Sequence, residues 1–99
     1  MIQIVWEFLA RADAVPEFEN AYGPRGEWAR LFERFPGYGG TVLLRDTADR
    51  RRFLTIDRWE SRRDFLEMHA GAAEEYARLD ARVSALTESE HDVGVFEAL

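Results

Sequence analysis

The sequence predicts an α+β domain in which a four-stranded antiparallel sheet carries its helices on one face, and three observations lead there. Apolar residues alternate with a period of two over 2–9, 41–45, 53–59 and 91–97. Between 13 and 35, and again between 61 and 86, they recur at the three-and-four spacing of helices. Gly and Pro stand where one pattern gives way to the other. The resulting order of strand, helices, strand, strand, helix, strand is the split βαβ, or ferredoxin-like, arrangement.

Each element has a local reason. In the first strand Ile2, Ile4, Trp6 and Phe8 share one face, while Gln3, Val5, Glu7 and Leu9 share the other. From Asp13 the period changes. Pro16 suits a first helical turn, and Val15, Phe18 and Tyr22 follow on one side until Gly23 and Pro24 break the helix. A second helix follows through Trp28, Leu31, Phe32 and Phe35, which is i, i+3, i+4, i+7. Pro36, Gly37, Gly39 and Gly40 stop it and turn the chain into a hairpin, Thr41 to Arg45 and Phe53 to Trp59, joined by Asp46 to Arg52. Because a strand follows that glycine turn, it is not a phosphate-binding loop, which would open a helix. Ser61 with Asp64 three residues on resembles a capping box. The helix it opens continues through Phe65, His69, Ala72, Tyr76, Leu79, Val83 and Leu86, with an irregularity at Gly71. His91 to Glu97 alternates around Val93 and Val95 as a last strand.

Composition sets the outer limits. The 99 residues make a single domain, 1–99, with no internal repeat and no linker, and the 46% hydrophobic and 13% aromatic content places the chain outside the disordered class. With 19 acidic against 13 basic residues the net charge is -6, so nucleic acid and anionic membrane are excluded as partners. The only basic run, Arg50 to Arg52, is a solvated hairpin tip. The absence of Cys removes disulfides, thiolate nucleophiles and Cys-built metal sites; the absence of Lys removes Schiff-base chemistry. The N-terminus has no basic region before its apolar stretch, which Glu7 interrupts, so a cytoplasmic location is expected. The sheet's second face also carries apolar residues, Val42 and Leu44 on one side of the hairpin and Leu43 on the other. A sheet-to-sheet homodimer is the expected way to cover it.

Three tracts, Phe18 to Trp28 (FENAYGPRGEW), Pro36 to Asp46 (PGYGGTVLLRD) and Leu54 to Asp64 (LTIDRWESRRD), resemble the antibiotic biosynthesis monooxygenase family of the dimeric α/β-barrel superfamily. The likeness spans nearly the whole chain and is most specific through Asp57-Arg58-Trp59-Glu60-Ser61. It implies a homodimer whose two sheets form a shared barrel, with a cavity between sheet and helices in each protomer. Some relatives in that family oxygenate aromatic polyketide or quinol substrates with no metal or flavin; others degrade haem. The haem-degrading relatives carry an Asn on the first strand and a Trp and a His on the helix after the third. Here residues 1–12 hold no Asn and the helix from Ser61 holds no Trp, which favours a small aromatic molecule over haem.

Oxygenation without a cofactor needs a base, a donor for a substrate oxygen, and dry walls. His69 is the candidate base because imidazole titrates near neutrality, although a lone His on an apolar face is also a common packing residue. Tyr76, two helical turns further on, is the candidate for holding a substrate oxygen, its competing role being a core tyrosine. Trp28, Phe32, Phe65 and Trp59 are candidates for the walls of an apolar pocket, or simply for the core. Asp57 and Arg58 alternate on the third strand and read as surface or interface ion pairs, with substrate binding by Arg58 as the lesser role. Glu90, His91 and Asp92 cannot converge on a metal, since neighbouring strand residues point to opposite sides. The expected protein is therefore a homodimeric, cofactor-independent monooxygenase acting on a small planar phenolic or quinol molecule. The alternative is a non-catalytic small-molecule-binding homodimer of the same fold.

Overall fold

The alternation at the N-terminus folds as β1 (Ile2–Ala10), the second strand from one edge of a sheet ordered β2-β3-β1-β4. A computed structural model describes all 99 residues. The other strands are β2 (Tyr38–Arg45), β3 (Arg52–Trp59) and β4 (Thr87–Glu97), and every pairing is antiparallel. Helices α1 (Val15–Tyr22), α2 (Glu27–Phe32), α3 (Arg62–Gly71) and α4 (Ala73–Val83) complete the ferredoxin-like α+β order. No helix is long and apolar enough to cross a membrane.

Register decides which residues meet the helices. Ile4 pairs with Asp57 and Val95, and Phe8 pairs with Phe53 and Glu90, so the even residues of β1 and the odd residues of β3 share the inner face. Ile4, Phe8, Ala10, Phe53 and Trp59 are buried there against Phe18, Ala21, Leu31, Phe32 and Met68 of the helices. On the opposite face Val42, Ile56 and Val5 are laterally adjacent, beside Leu44 and Leu54. Val42 and Leu44 keep 40% and 46% of their surface exposed, leaving an apolar sheet face uncovered within the chain.

The capping box forms: Ser61 Oγ accepts the Asp64 backbone N–H at 3.1 Å and donates to Asp64 Oδ2 at 3.0 Å. Gly37, at φ +90°, packs so tightly beside this cap that a Cβ would overlap the Asp64 carboxylate. The irregularity at Gly71 separates α3 from α4. Ala72 leaves helical geometry there, and a Cβ on Gly71 would lie 2.9 Å from Phe35 Cε1.

Two boundaries differ from the sequence expectation. β2 begins at Tyr38 rather than Thr41, because Gly39 and Gly40, the latter at φ +102°, absorb a register shift and let Tyr38 pair with Trp59. β4 begins at Thr87 rather than His91, after a single 3₁₀ turn over Ser84–Leu86. Its first residues, Thr-Glu-Ser-Glu, show no apolar alternation because β4 is an edge strand with one neighbour, where charge blunts the open edge.

Candidate active site

Helices and sheet do not close completely over the inner face. They leave a cavity of about 140 Å³ walled by the rings of Trp6, Phe8, Tyr22, Trp28, Phe32 and Tyr76. That is close to the volume known to take one benzene-sized ring, roughly 150 Å³. Local rules place each wall. Trp6 and Phe8 are alternate residues of β1, Tyr22 is one turn beyond the buried Phe18, and Trp28 and Phe32 are an i, i+4 pair on α2. Tyr76 comes from the first turn of α4. The rings touch in tilted pairs: Tyr76 on Trp28 at 4.6 Å between centroids, Trp28 on Phe32 at 5.7 Å and Phe8 on Tyr22 at 4.6 Å.

Four polar side chains complete the lining: Thr55 and Asp57 from β3, Asp80 from α4 and Glu90 from β4. Asp57 lies in the inward-facing series with Thr55 and Trp59, and Thr41 on the neighbouring strand donates its hydroxyl to Asp57 Oδ1 at 2.7 Å. The Tyr38 hydroxyl in turn lies 2.5 Å from Thr41 Oγ1, fixing that donor. No cation accompanies the carboxylate, and burial pushes its pKa up to about 6 against the opposing pull of the Thr41 hydrogen bond. Burial also raises Tyr76 to about 12, helped by the charges of Asp80, Asp57 and Glu90, so its hydroxyl stays a donor at neutral pH. Glu90 is raised by burial and by Asp80. The indole N–H of Trp28 is buried with no hydrogen-bond partner; it stands near the Tyr22 hydroxyl, whose own pKa burial raises.

No arginine lines the cavity. Arg30, Arg34, Arg78 and Arg82 lie instead in a groove between α2 and α4, where Glu75 holds Arg34 at 2.7 Å and Glu27 holds Arg82.

Of the residues singled out from sequence, Trp28, Phe32 and Tyr76 line the cavity. His69 stands behind Tyr76, its ring 4.2 Å from the tyrosine ring and 4.8 Å from Phe65, outside the lining. Burial lowers its pKa, so the imidazole is neutral at pH 7. Phe65 lies between His69 and Trp59; Trp59 is fully buried against Phe32 and Tyr38. Arg58 is exposed on the outer face. The ion-pair expectation for Asp57 is corrected: the side chain faces the helices and makes no salt bridge, its inward register being set by Phe53 and Trp59 on the same strand. Glu90 and Asp92 pair with the inward Phe8 and Trp6 while His91 pairs with Glu7, and no three acidic or His side chains cluster as metal ligands.

Sequence reasoning missed Asp57, Asp80 and Glu90 as cavity residues. Asp57 was visible as the one acid in the Phe53, Thr55, Trp59 series, and Asp80 as the residue one turn beyond Tyr76. Glu90 had no signal, since nothing in an edge strand's polar run says which acid lies beside a pocket.

These features define a ferredoxin-like α+β protein with an aromatic cavity between its sheet and helices. The family model for antibiotic biosynthesis monooxygenase matches residues 1–74, and the chain belongs to that family. Among solved structures it is similar to SnoaB, a cofactor-independent oxygenase from Streptomyces nogalater. A mutant form of that protein is 24% identical, with a TM-score of 0.82 over 98% of this chain and 91% of that one. A protein from Nitrosomonas europaea is 18% identical, with a TM-score of 0.72 over 100% of this chain and 99% of that one. PA3566 from Pseudomonas aeruginosa is 15% identical, with a TM-score of 0.71 over 99% and 93%. These likenesses establish the fold. No curated protein matches the chain.

Proposed function

We propose that the protein is a cofactor-independent monooxygenase that oxidises a small planar phenolic or quinol molecule, and that Asp57 is its base. The observation that carries this reading is a carboxylate at the wall of an aromatic cavity, held by one hydroxyl and poised near neutrality by burial. An acidic ring carbon placed against Asp57 gives up a proton to it. Tyr76 donates its hydroxyl to the substrate oxygen on which the negative charge collects. The electron-rich ring then reduces dioxygen itself. For a ring CH₂ oxidised to a carbonyl, one oxygen atom enters the product and the other leaves as water with the two hydrogens, so no external reductant is needed. The ring walls exclude bulk water from the carbanion.

His69 serves this site as a positioning residue, its ring packed on the far side of Tyr76 from Trp28's contact. Thr41, itself held by Tyr38, orients Asp57. The active form is a homodimer built on the apolar row Val42, Ile56 and Val5, which accounts for an exposed sheet face that a monomer has no use for. The description of SnoaB as a cofactor-independent oxygenase supports the reaction class.

Oxygen uptake by the chelator-treated protein with anthrones and naphthohydroquinones, run under ¹⁸O₂, tests the proposal. Protein-dependent uptake with one labelled oxygen in the product is expected. Uptake no faster than autoxidation across the panel would contradict it and assign the cavity to binding alone.

A further inference from the structure

Resting on the reading of this cavity as a substrate site, we infer that its ligand carries a positively charged amino group beside its phenolic ring. Three carboxylates border the cavity, Asp57 on its wall and the solvent-exposed Asp80 and Glu90, and they come from three different elements. No Arg or His shares the lining to neutralise them, and no salt bridge in the chain involves any of the three. The carboxylates are close enough to act on one another and on the same tyrosine: Asp80 raises Glu90, and all three raise Tyr76.

An acidic border alone would be a solvated surface. Here it adjoins a cavity whose walls are π-faces, and such walls attract cations through their quadrupoles as they accept an aromatic ring. The wall also holds the buried indole N–H of Trp28, a residue only 8% exposed, and this N–H is without an acceptor, a donor that a ligand oxygen satisfies. The two halves fit one molecule: a phenolic ring among Trp28, Tyr76 and Phe8, and an ammonium at the exposed side between Asp80 and Glu90. A ligand with a carboxylate or phosphate at that end meets uncompensated like charge.

Calorimetric titration at neutral pH with three probes sharing one phenol ring decides the matter: tyramine, 4-ethylphenol and 3-(4-hydroxyphenyl)propionate. Tyramine is expected to bind about tenfold tighter than 4-ethylphenol, with the propionate weaker still. In the double variant Asp80→Asn, Glu90→Gln, both changes being at exposed positions, the tyramine preference is expected to fall to within about twofold. Tyramine and 4-ethylphenol binding alike in the wild type, or a preference unchanged in the double variant, would overturn the inference. Oxygen uptake with a neutral quinol, measured alongside, keeps the two claims apart. Uptake without an amine preference overturns the cationic ligand and leaves the oxygenase reading standing, whereas absence of both overturns both.

Discussion

The Thr41 hydroxyl donates to Asp57 at 2.7 Å, and it is the one hydrogen bond that this inward-facing carboxylate receives. A carboxylate held by one neutral donor and no cation is under-stabilised in its charged form. It costs the fold stability and gains proton affinity, which is the combination a base requires.

Stability and activity should therefore part company in Asp57→Asn. The folded carboxylate is raised to about 6, above the ordinary value for an unfolded chain, so the folded state binds the proton more tightly. The penalty is fully present above the folded value and lifts as pH falls through 6 toward 4. Relative to Asp57→Asn, the wild type should gain of order 2 kcal/mol between neutral pH and about pH 4, a gain read by urea unfolding at each pH. At neutral pH the variant should be as stable as the wild type or more so.

His69→Ala should lose no more than about tenfold in kcat, the modest cost of letting Tyr76 shift. Tyr76→Phe, which removes the donor itself, should lose more, on the order of a hundredfold. Steady-state oxygen uptake ranks the two, and a larger loss in His69→Ala would return the base to the imidazole.

Gly37 and Gly40 both sit at positive φ, but only Gly37 is crowded. Gly40→Ala should cost about 1 kcal/mol for the strained backbone alone, and Gly37→Ala about 2 kcal/mol or more because the new methyl meets Asp64 at the α3 cap. Thermal melts of the two variants give the comparison.

Ile56→Arg places a charge in the centre of the apolar row between Val42 and Val5. Light scattering should show a dimer for the wild type and a monomer for the variant; a wild-type monomer would remove the shared barrel from the account.

Much of this was legible in the chain because periodicity reports burial. The even residues of β1, the Trp28 and Phe32 stripe of α2, and the Ser61 cap each followed from spacing and side-chain chemistry alone. The start of β4 was not, since an edge strand with one neighbour needs no apolar alternation. His69 and Tyr76 could be placed on one helical stretch, but the break at Ala72 rotates the second helix away from the first, so the two rings stack instead of facing one space. Asp57 was read as a charge seeking a partner. Whether a strand acid finds an arginine or a cavity depends on where arginines on other elements fall, and spacing along one strand does not contain that.

The most direct test is the pH dependence of oxygen uptake, as kcat/KM, for the wild type and Asp57→Asn. The wild type should rise with pH through an apparent pKa of about 6. The variant, folded and at least as stable, should lose a hundredfold or more and show no such rise. An Asp57→Asn protein that keeps its rate and its pH profile would contradict the central claim that this carboxylate takes the substrate's proton.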